Sequence, residues 1–381
     1  MTRTDRLLAV LGWRGVLPAP AAALVECRTG FRQVLTRRST VEALLAHPEV
    51  LVTYGPASRL LGLGDFPLAC DGSAHAAARA RIARALDRSA GARRRGEDAA
   101  AEVADAAVLA AGPRLDVVTG LVDPALAAWV EGWFGLPGWG PTLARIGRLV
   151  LLATALEPET PRARADQRGR DAALRAVDRA RPALDEAVRD AAPGTLAASL
   201  LTESGGDVDA AVADLVGLTV GPLALGSWSL ALVVDGLLDD PIQLAGPGSA
   251  TEAAWLFDRT LARRAPLPGL PRQCGAPVEV GDGGAHHRLP AGPVLAATRA
   301  AAGAEGTGTP TSAANLAFGS GPHRCMGQHE VTVVAGIVLR ALADGRPRRR
   351  PGRRGRPLTG AAPSGVGRWP FPGHLVVRLD R

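Results

Sequence analysis

The chain has 381 residues, with 44 Lys+Arg against 37 Asp+Glu, and carries a formal net charge of +7. Hydrophobic residues make up 47% and charged ones 21%, which excludes wholesale disorder and leaves material for a substantial core. Four scattered cysteines (Cys27, Cys70, Cys274, Cys325) exclude a disulfide scaffold and fit a reducing cytoplasm.

The N-terminal apolar run is cut by Arg14 and makes a poor secretory signal. Two Ala-rich, Arg-spaced stretches, His75–Ala90 and Arg162–Ala191, carry helix formers with apolar residues three or four apart. Leu215 to Val234 is free of charge and long enough to cross a bilayer. Asp214 and Asp235 flank it, no Arg cluster marks one side, and Pro222, Gly217, Gly221 and Gly226 interrupt it. The expectation is a long helix buried inside a large protein, with no membrane role. From Pro277 the texture changes to short strand-like pieces around Gly-rich turns, and His374–Leu379 adds another. The fold class expected is mainly α with a small β part, in a single domain over residues 1–381.

All basic residues are Arg, and seven of them lie between Arg346 and Arg356, without an acid. That stretch equals the whole charge excess. Such a run suits nucleic acid, an acidic protein partner, or plain solvation. No recognition motif accompanies it and aromatics are only 4%, so nucleic acid is not expected. Pro347, Pro351, Gly352 and Gly355 suggest an exposed loop.

Residues 318 to 327 read Phe-Gly-Ser-Gly-Pro-His-Arg-Cys-Met-Gly, a tight loop before a helix-like stretch, Gln328–Asp344. Cys325 then sits near a helix N-terminus, where unpaired N–H groups and the dipole favour a thiolate. Gly321 and Gly327 would let a flat ligand approach the backbone closely. A thiolate held this way is what a heme iron needs as its proximal ligand. A buried structural Cys is the bland reading. A zinc site from His323, Cys325 and His329 lacks a fourth ligand.

This loop resembles the heme-binding signature of the cytochrome P450 family at all its fixed positions. The resemblance implies a cytochrome P450 fold and heme b, with Cys325 as the ligand of the iron. Phe318 would pack beside the sulfur, and His323 would reach a heme propionate. Asp71, His75 and Arg79 match the family's Asp-x-x-x-His-x-x-x-Arg, which implies that His75 and Arg79 bind propionates, as does Arg272 of Pro271-Arg272. Val34–Tyr54 looks like the family's N-terminal strand, short helix and following loop. Leu215–Val234 matches the long helix that crosses the distal face of the heme. The likeness runs from about residue 25 to the end.

Three departures qualify the activity this implies. The family's distal Ala/Gly-Gly-x-acid-Thr falls on Val220-Gly221-Pro222-Leu223-Ala224, so Leu223 and Ala224 stand where an acid and a Thr help deliver protons. Thr219, Ser227 and Ser229 are the hydroxyls near that point. The family's Glu-x-x-Arg is absent: its window reads Arg259 to Ala262, with Asp258, Arg263 and Arg264 as neighbours. The loop before the signature, Ala304–Asn315, lacks the usual Phe and Arg. An unpaired buried Glu or Arg is costly, so triad members should vanish as a set.

The expected function is a cytoplasmic heme-thiolate oxidoreductase of specialised metabolism, with Cys325, Gly221, Leu223 and Ala224 at the reaction centre. It would use O2 or peroxide on a small-molecule substrate. A ferredoxin or another acidic protein would dock at the Arg346–Arg356 region. The alternative is a degenerate, non-catalytic P450-like helper that binds and activates a partner such as a glycosyltransferase. Intact Cys325 speaks against that alternative.

Overall fold

The computed structural model describes residues 31, 33–54, 58–59, 61–64, 66–156, 167–245, 247–267, 269–281, 286–303, 315–349 and 371–380. The N-terminal segment is β1 (Gln33–Leu35), α1 (Arg38–Ala46) and β2 (Val50–Val52). Two long helices follow, α2 (Gly72–Arg88) and α3 (Ala90–Ala110), then β3 (Arg114–Asp116). Next come α4 (Asp123–Phe134), α5 (Gly140–Leu151), α6 (Gln167–Arg189) and α7 (Leu196–Glu203). The apolar stretch lies within one continuous helix, α8 (Val208–Leu237). Then follow α9 (Pro241–Ala245), α10 (Ala250–Arg264), β4 (Leu270–Cys274), β5 (Val278–Gly281), β6 (His286–Leu289) and β7 (Gly292–Ala296). The chain closes with α11 (Thr298–Gly303), α12 (Gln328–Asp344), β8 (Pro347–Arg349) and β9 (Val376–Leu379).

The strands form a four-stranded sheet in the order β1-β7-β4-β2, a three-stranded sheet β3-β9-β8 and a hairpin β5-β6. Parallel pairing of β1 with β7 joins the two ends of the sequence, with Val34 opposite Leu295. The helical stretches lie where their spacing puts them, and Gln328–Asp344 is α12 to the residue. Residues 162–166, at the start of the second expected helical stretch, lie outside the described residues.

The main core is helical. On α3, Ala92, Gly96, Ala100, Ala104 and Val108 recur every fourth residue and form one buried stripe. A Cβ on Gly96 would meet the Trp129 carbonyl of α4 at 2.4 Å, and one on Gly132 would meet Gly96 Cα at 2.8 Å. Two glycines therefore set the closeness of α3 and α4. Trp129 and Phe134 fill the space beside them.

Helix α8 has the length and composition of a membrane span, yet most of it is buried within the protein. Asp214, at 1% exposure, receives two hydrogen bonds from Arg81 of α2, at 2.9 and 3.0 Å. Over Val220–Gly226 the helix widens into π turns. Pro222 explains the widening. It has no N–H for the bond to Leu218, and its ring would strike that carbonyl in an α turn.

The basic run requires a correction. Pro347–Arg349 is a strand, not a loop, and pairs with β9. Arg349 is mostly buried and forms ion pairs with Asp235, in the last turn of α8, at 2.7 Å and with Asp239, just beyond it, at 3.0 Å. Arg348 pairs with Asp380 at 2.9 Å while staying more than half exposed. Of the seven Arg, Arg349 is thus used inside the fold and Arg348 pairs at its surface. Residues 350–356 lie outside the described residues.

Candidate functional site: the Cys325 loop and its surroundings

The loop begins with Asn315. Its side-chain oxygen accepts the Ala317 N–H and starts a 3-10 turn over Leu316–Phe318. Gly319 (φ 75°) and Gly321 (φ 69°) then reverse the chain in conformations that side chains disfavour. The turn brings Phe318 back onto Cys325, whose N–H donates to the Phe318 carbonyl at 2.9 Å. Phe318 is half-buried beside the main core. A Cβ at Gly321 would lie 2.4 Å from the Leu45 carbonyl, so its open side is filled by the end of α1. Gly327, before α12, has nothing within 4 Å of a Cβ position.

Cys325 is deep within the protein mass, yet its own surface is open. It lines a cavity of about 680 Å³ with His75, Ala76, Arg79 and Ala80 of α2, Arg93 of α3, and Glu330 of α12. The surrounding mass pushes the thiol pKa up. The Gly327 N–H, Arg79 and Arg324 oppose that shift, while Glu330 adds to it. Helix α12 starts three residues later and carries an acid, Glu330, in its first turn.

Beside the cavity lies a cluster rich in donors. The rings of His75 and His323 lie 3.9 Å apart between centroids. His323 Nε2 meets Asp71 Oδ1 at 2.9 Å, and Asp71 also accepts the Val52 N–H at 3.1 Å. Burial first, then the charges of His75 and Arg272, push His323 down to about 4. Burial and Arg79 lower His75 in the same way. Arg272 is 3% exposed, and the chain's single tyrosine, Tyr54, hydrogen-bonds to it. Arg79 donates to the Arg324 carbonyl at 2.8 Å and so holds the loop from α2.

Two atoms in this cluster, His75 Nε2 and His323 Nδ1, are buried without a partner. A buried polar atom left unpaired is costly, and here both orphans belong to a group in which Asp71 is the carboxylate that faces Arg272. With its Nε2–H on Asp71, His323 leaves Nδ1 as an acceptor, whereas Arg79, Arg272 and the Nε2–H tautomer of His75 can receive anionic oxygen. A flat group with carboxylate arms and a thiolate-binding cation fits these residues, and heme has both.

The distal turn is built differently. Gly221 is open, with nothing within 4 Å of a Cβ position. Leu223 and Ala224 are buried in the main core. The Thr219 hydroxyl donates to the Val216 carbonyl at 2.7 Å. The Ser227 hydroxyl donates to Asp123 at 2.6 Å and accepts from Arg148. Both hydroxyls are thus committed within the helical core. Gly226 packs near Val331, so the wide turn sits close to the first turn of α12.

The structure therefore gathers His75, His323 and Arg272 in one cluster and lets Arg79 bridge to the Cys325 loop. Sequence reasoning passed over Tyr54, Arg93, Glu330 and the pairing of Asp258 with Asn315. Arg93 and Glu330 are joined at 2.7 Å across the cavity wall. The signal for Tyr54 is its rarity. The others are ordinary polar residues whose partners lie far away in sequence.

No protein-family model and no curated protein matches the chain. Solved structures do. A mutant of P450 EryK of S. erythraea, in complex with erythromycin B, superposes with a TM-score of 0.73 at 18% identity, over 98% of this chain and 95% of that one. Cytochrome P450 CYP109Q5 from Chondromyces apiculatus gives 0.72 at 18%, over 99% and 95%. P450BioI, in complex with a hexadec-9Z-enoic acid ligated acyl carrier protein, gives 0.70 at 13%, over 95% and 98%. The chain has the cytochrome P450 fold over nearly its whole length.

Proposed function

We propose that this chain is a heme-thiolate oxidoreductase acting on a small-molecule specialised metabolite. The observation that carries the reading is Cys325, open to a cavity, beside a cluster rich in donors. Cys325 would bind the iron of heme b, and His75, Arg79 and Arg272 would receive the propionates. The bound heme supplies redox chemistry at iron. The protein's residues hold and shield it. The turn at Phe318 fixes the cysteine N–H, Arg79 anchors the loop, and Leu223 and Ala224 keep polar groups and water from their part of the distal turn.

That apolar turn favours chemistry without a protein-derived proton: peroxide as oxidant, a rearrangement or coupling, or a substrate that brings its own hydroxyl or carboxylate. Gly221 is the opening in the helix against which a substrate would lie. A carrier protein is one route of presentation, by analogy with the acyl carrier protein complex of P450BioI. Where electrons are needed, a ferredoxin or other acidic protein would deliver them, and the solvent-facing part of the Arg346–Arg356 run suits its charge.

The degenerate helper is the second reading, favoured by the stripped distal turn alone. One experiment separates the two. The reduced, CO-bound protein should show a thiolate-type Soret band that Cys325→Ser abolishes. A colourless protein that cannot be loaded with hemin rejects the enzyme reading.

A further inference from the structure

Where the family's Glu-x-x-Arg is missing, α10 still reaches the cysteine loop. Asp258 is 5% exposed and Asn315 is 2% exposed. Asn315 Nδ2 donates to both the Asp258 carbonyl and Asp258 Oδ1, each at 2.9 Å. These are the two ends of a sequence gap of 57 residues. The Asn315 oxygen faces the other way and caps the 3-10 turn through the Ala317 N–H at 3.0 Å. The Asn315 backbone carbonyl accepts the Phe318 N–H at 3.1 Å, and the Phe318 carbonyl accepts the Cys325 N–H at 2.9 Å. One chain of hydrogen bonds thus runs from a long helix to the backbone of the cysteine. Two further anchors are independent of this chain: Arg79 donates to the Arg324 carbonyl at 2.8 Å, and Arg324 donates to Gln328 Oε1, at the start of α12, at 2.6 Å.

We propose that Asp258 and Asn315 are positioning residues that replace an ion-paired lock with an amide clasp, and so set the height and direction of Cys325. The Asn315 amide nitrogen donates to Asp258 twice, and its oxygen serves the turn. An alanine at 315 would release both sides at once. An isosteric Asp258→Asn change keeps an oxygen acceptor at the same place, so the clasp needs shape and an acceptor rather than a charge. This makes the lock different in kind from a Glu–Arg pair, where removing one charge strands the other. The proposal rests on the heme reading for its consequence at iron, but not for the clasp itself.

The test uses the full chain with Asn315→Ala, Asp258→Leu and Asp258→Asn. In the hemin-free protein, hydrogen exchange of the peptide spanning 316–325 should quicken about five- to thirtyfold in Asn315→Ala and Asp258→Leu, as expected for loss of one or two kcal/mol of local stability. Exchange in α3 and α4 should not change, and Asp258→Asn should show no such quickening. In the hemin-loaded, reduced and CO-bound protein, the first two variants should shift from a thiolate-type to a thiol-type Soret band while keeping their heme, and Asp258→Asn should not. Unchanged exchange at 316–325 in Asn315→Ala overturns the clasp. A wild type without a thiolate-type band rejects the heme reading and leaves the exchange result to decide the clasp. Should Asp258→Leu fail to fold, Asn315→Ala carries the test, because it removes a side chain without burying a new one.

Discussion

The Cys325 side of the molecule and the distal turn of α8 are made of opposite materials. Around Cys325 the fold gathers His75, Arg79, Arg272, His323, Asp71 and Tyr54, several of them buried and two with unpaired ring nitrogens. Over Val220–Gly226 it buries Leu223 and Ala224 and ties the Thr219 hydroxyl into its own helix. Buried polar groups are costly and persist where something repays them, whereas apolar replacements in a helix cost little. On the proposed function, the first region would hold the cofactor and the second would supply no proton of its own.

The largest effect expected from this contrast is on the choice of oxidant. Substrate turnover with peroxide should exceed turnover with O2, ferredoxin and NADPH by about a hundredfold or more, the usual scale of a missing acid-base group. Equal rates would show that Leu223 and Ala224 do not limit proton supply. Next in size is the polar cluster. Arg272→Leu and His75→Ala should each weaken hemin retention by about ten- to a hundredfold, the scale of a lost charge-assisted hydrogen bond, measured by transfer of hemin to apomyoglobin. Retention equal to wild type would remove these residues from the site.

A smaller difference should divide the basic run. Arg349→Ala removes the guanidinium that pairs with both Asp235 and Asp239 and should lower stability by about 1–3 kcal/mol in urea unfolding. Arg348→Ala, at a pair more exposed, should stay within about 0.5 kcal/mol. If Arg348→Ala instead weakens reduction by an acidic ferredoxin at low salt, docking at this edge is supported; equal losses of stability would erase the distinction.

The smallest effect is a pH dependence at the clasp. Burial raises the Asp258 carboxyl above its ordinary 3.8, with Asn315 and Arg324 opposing. The folded chain therefore holds that proton more tightly than the unfolded chain. Its stabilising contribution is present below pH 3.8 and is lost as pH rises through the folded value. Relative to wild type, Asp258→Asn should gain stability between acid and neutral pH. A pH-independent difference would contradict the buried carboxyl.

Much of this was legible in residues 318 to 327. The spacing of Phe, Gly, His and Cys is local, and local spacing survives in a sequence read alone. Helix α12 and the apolar α8 were legible for the same reason, since periodicity and hydropathy are properties of short windows. The Asp258–Asn315 pair was not legible. Asp258 appears only as a neighbour of a missing motif, and Asn315 as the end of a short loop, because the contact that gives them meaning crosses 57 residues.

The sequence by itself determined that Cys325 lies on a tight loop before a helix, that the distal stretch has no acid, and that the chain is mostly helical. Only the tertiary structure decided which groups surround the thiol, because Arg79, Arg93 and Glu330 reach the Cys325 cavity from distant segments. It also decided that Arg349 belongs to an ion-paired strand rather than a solvated loop. Charge and backbone propensity are written in each residue, but desolvation and partner choice arise only when distant segments meet.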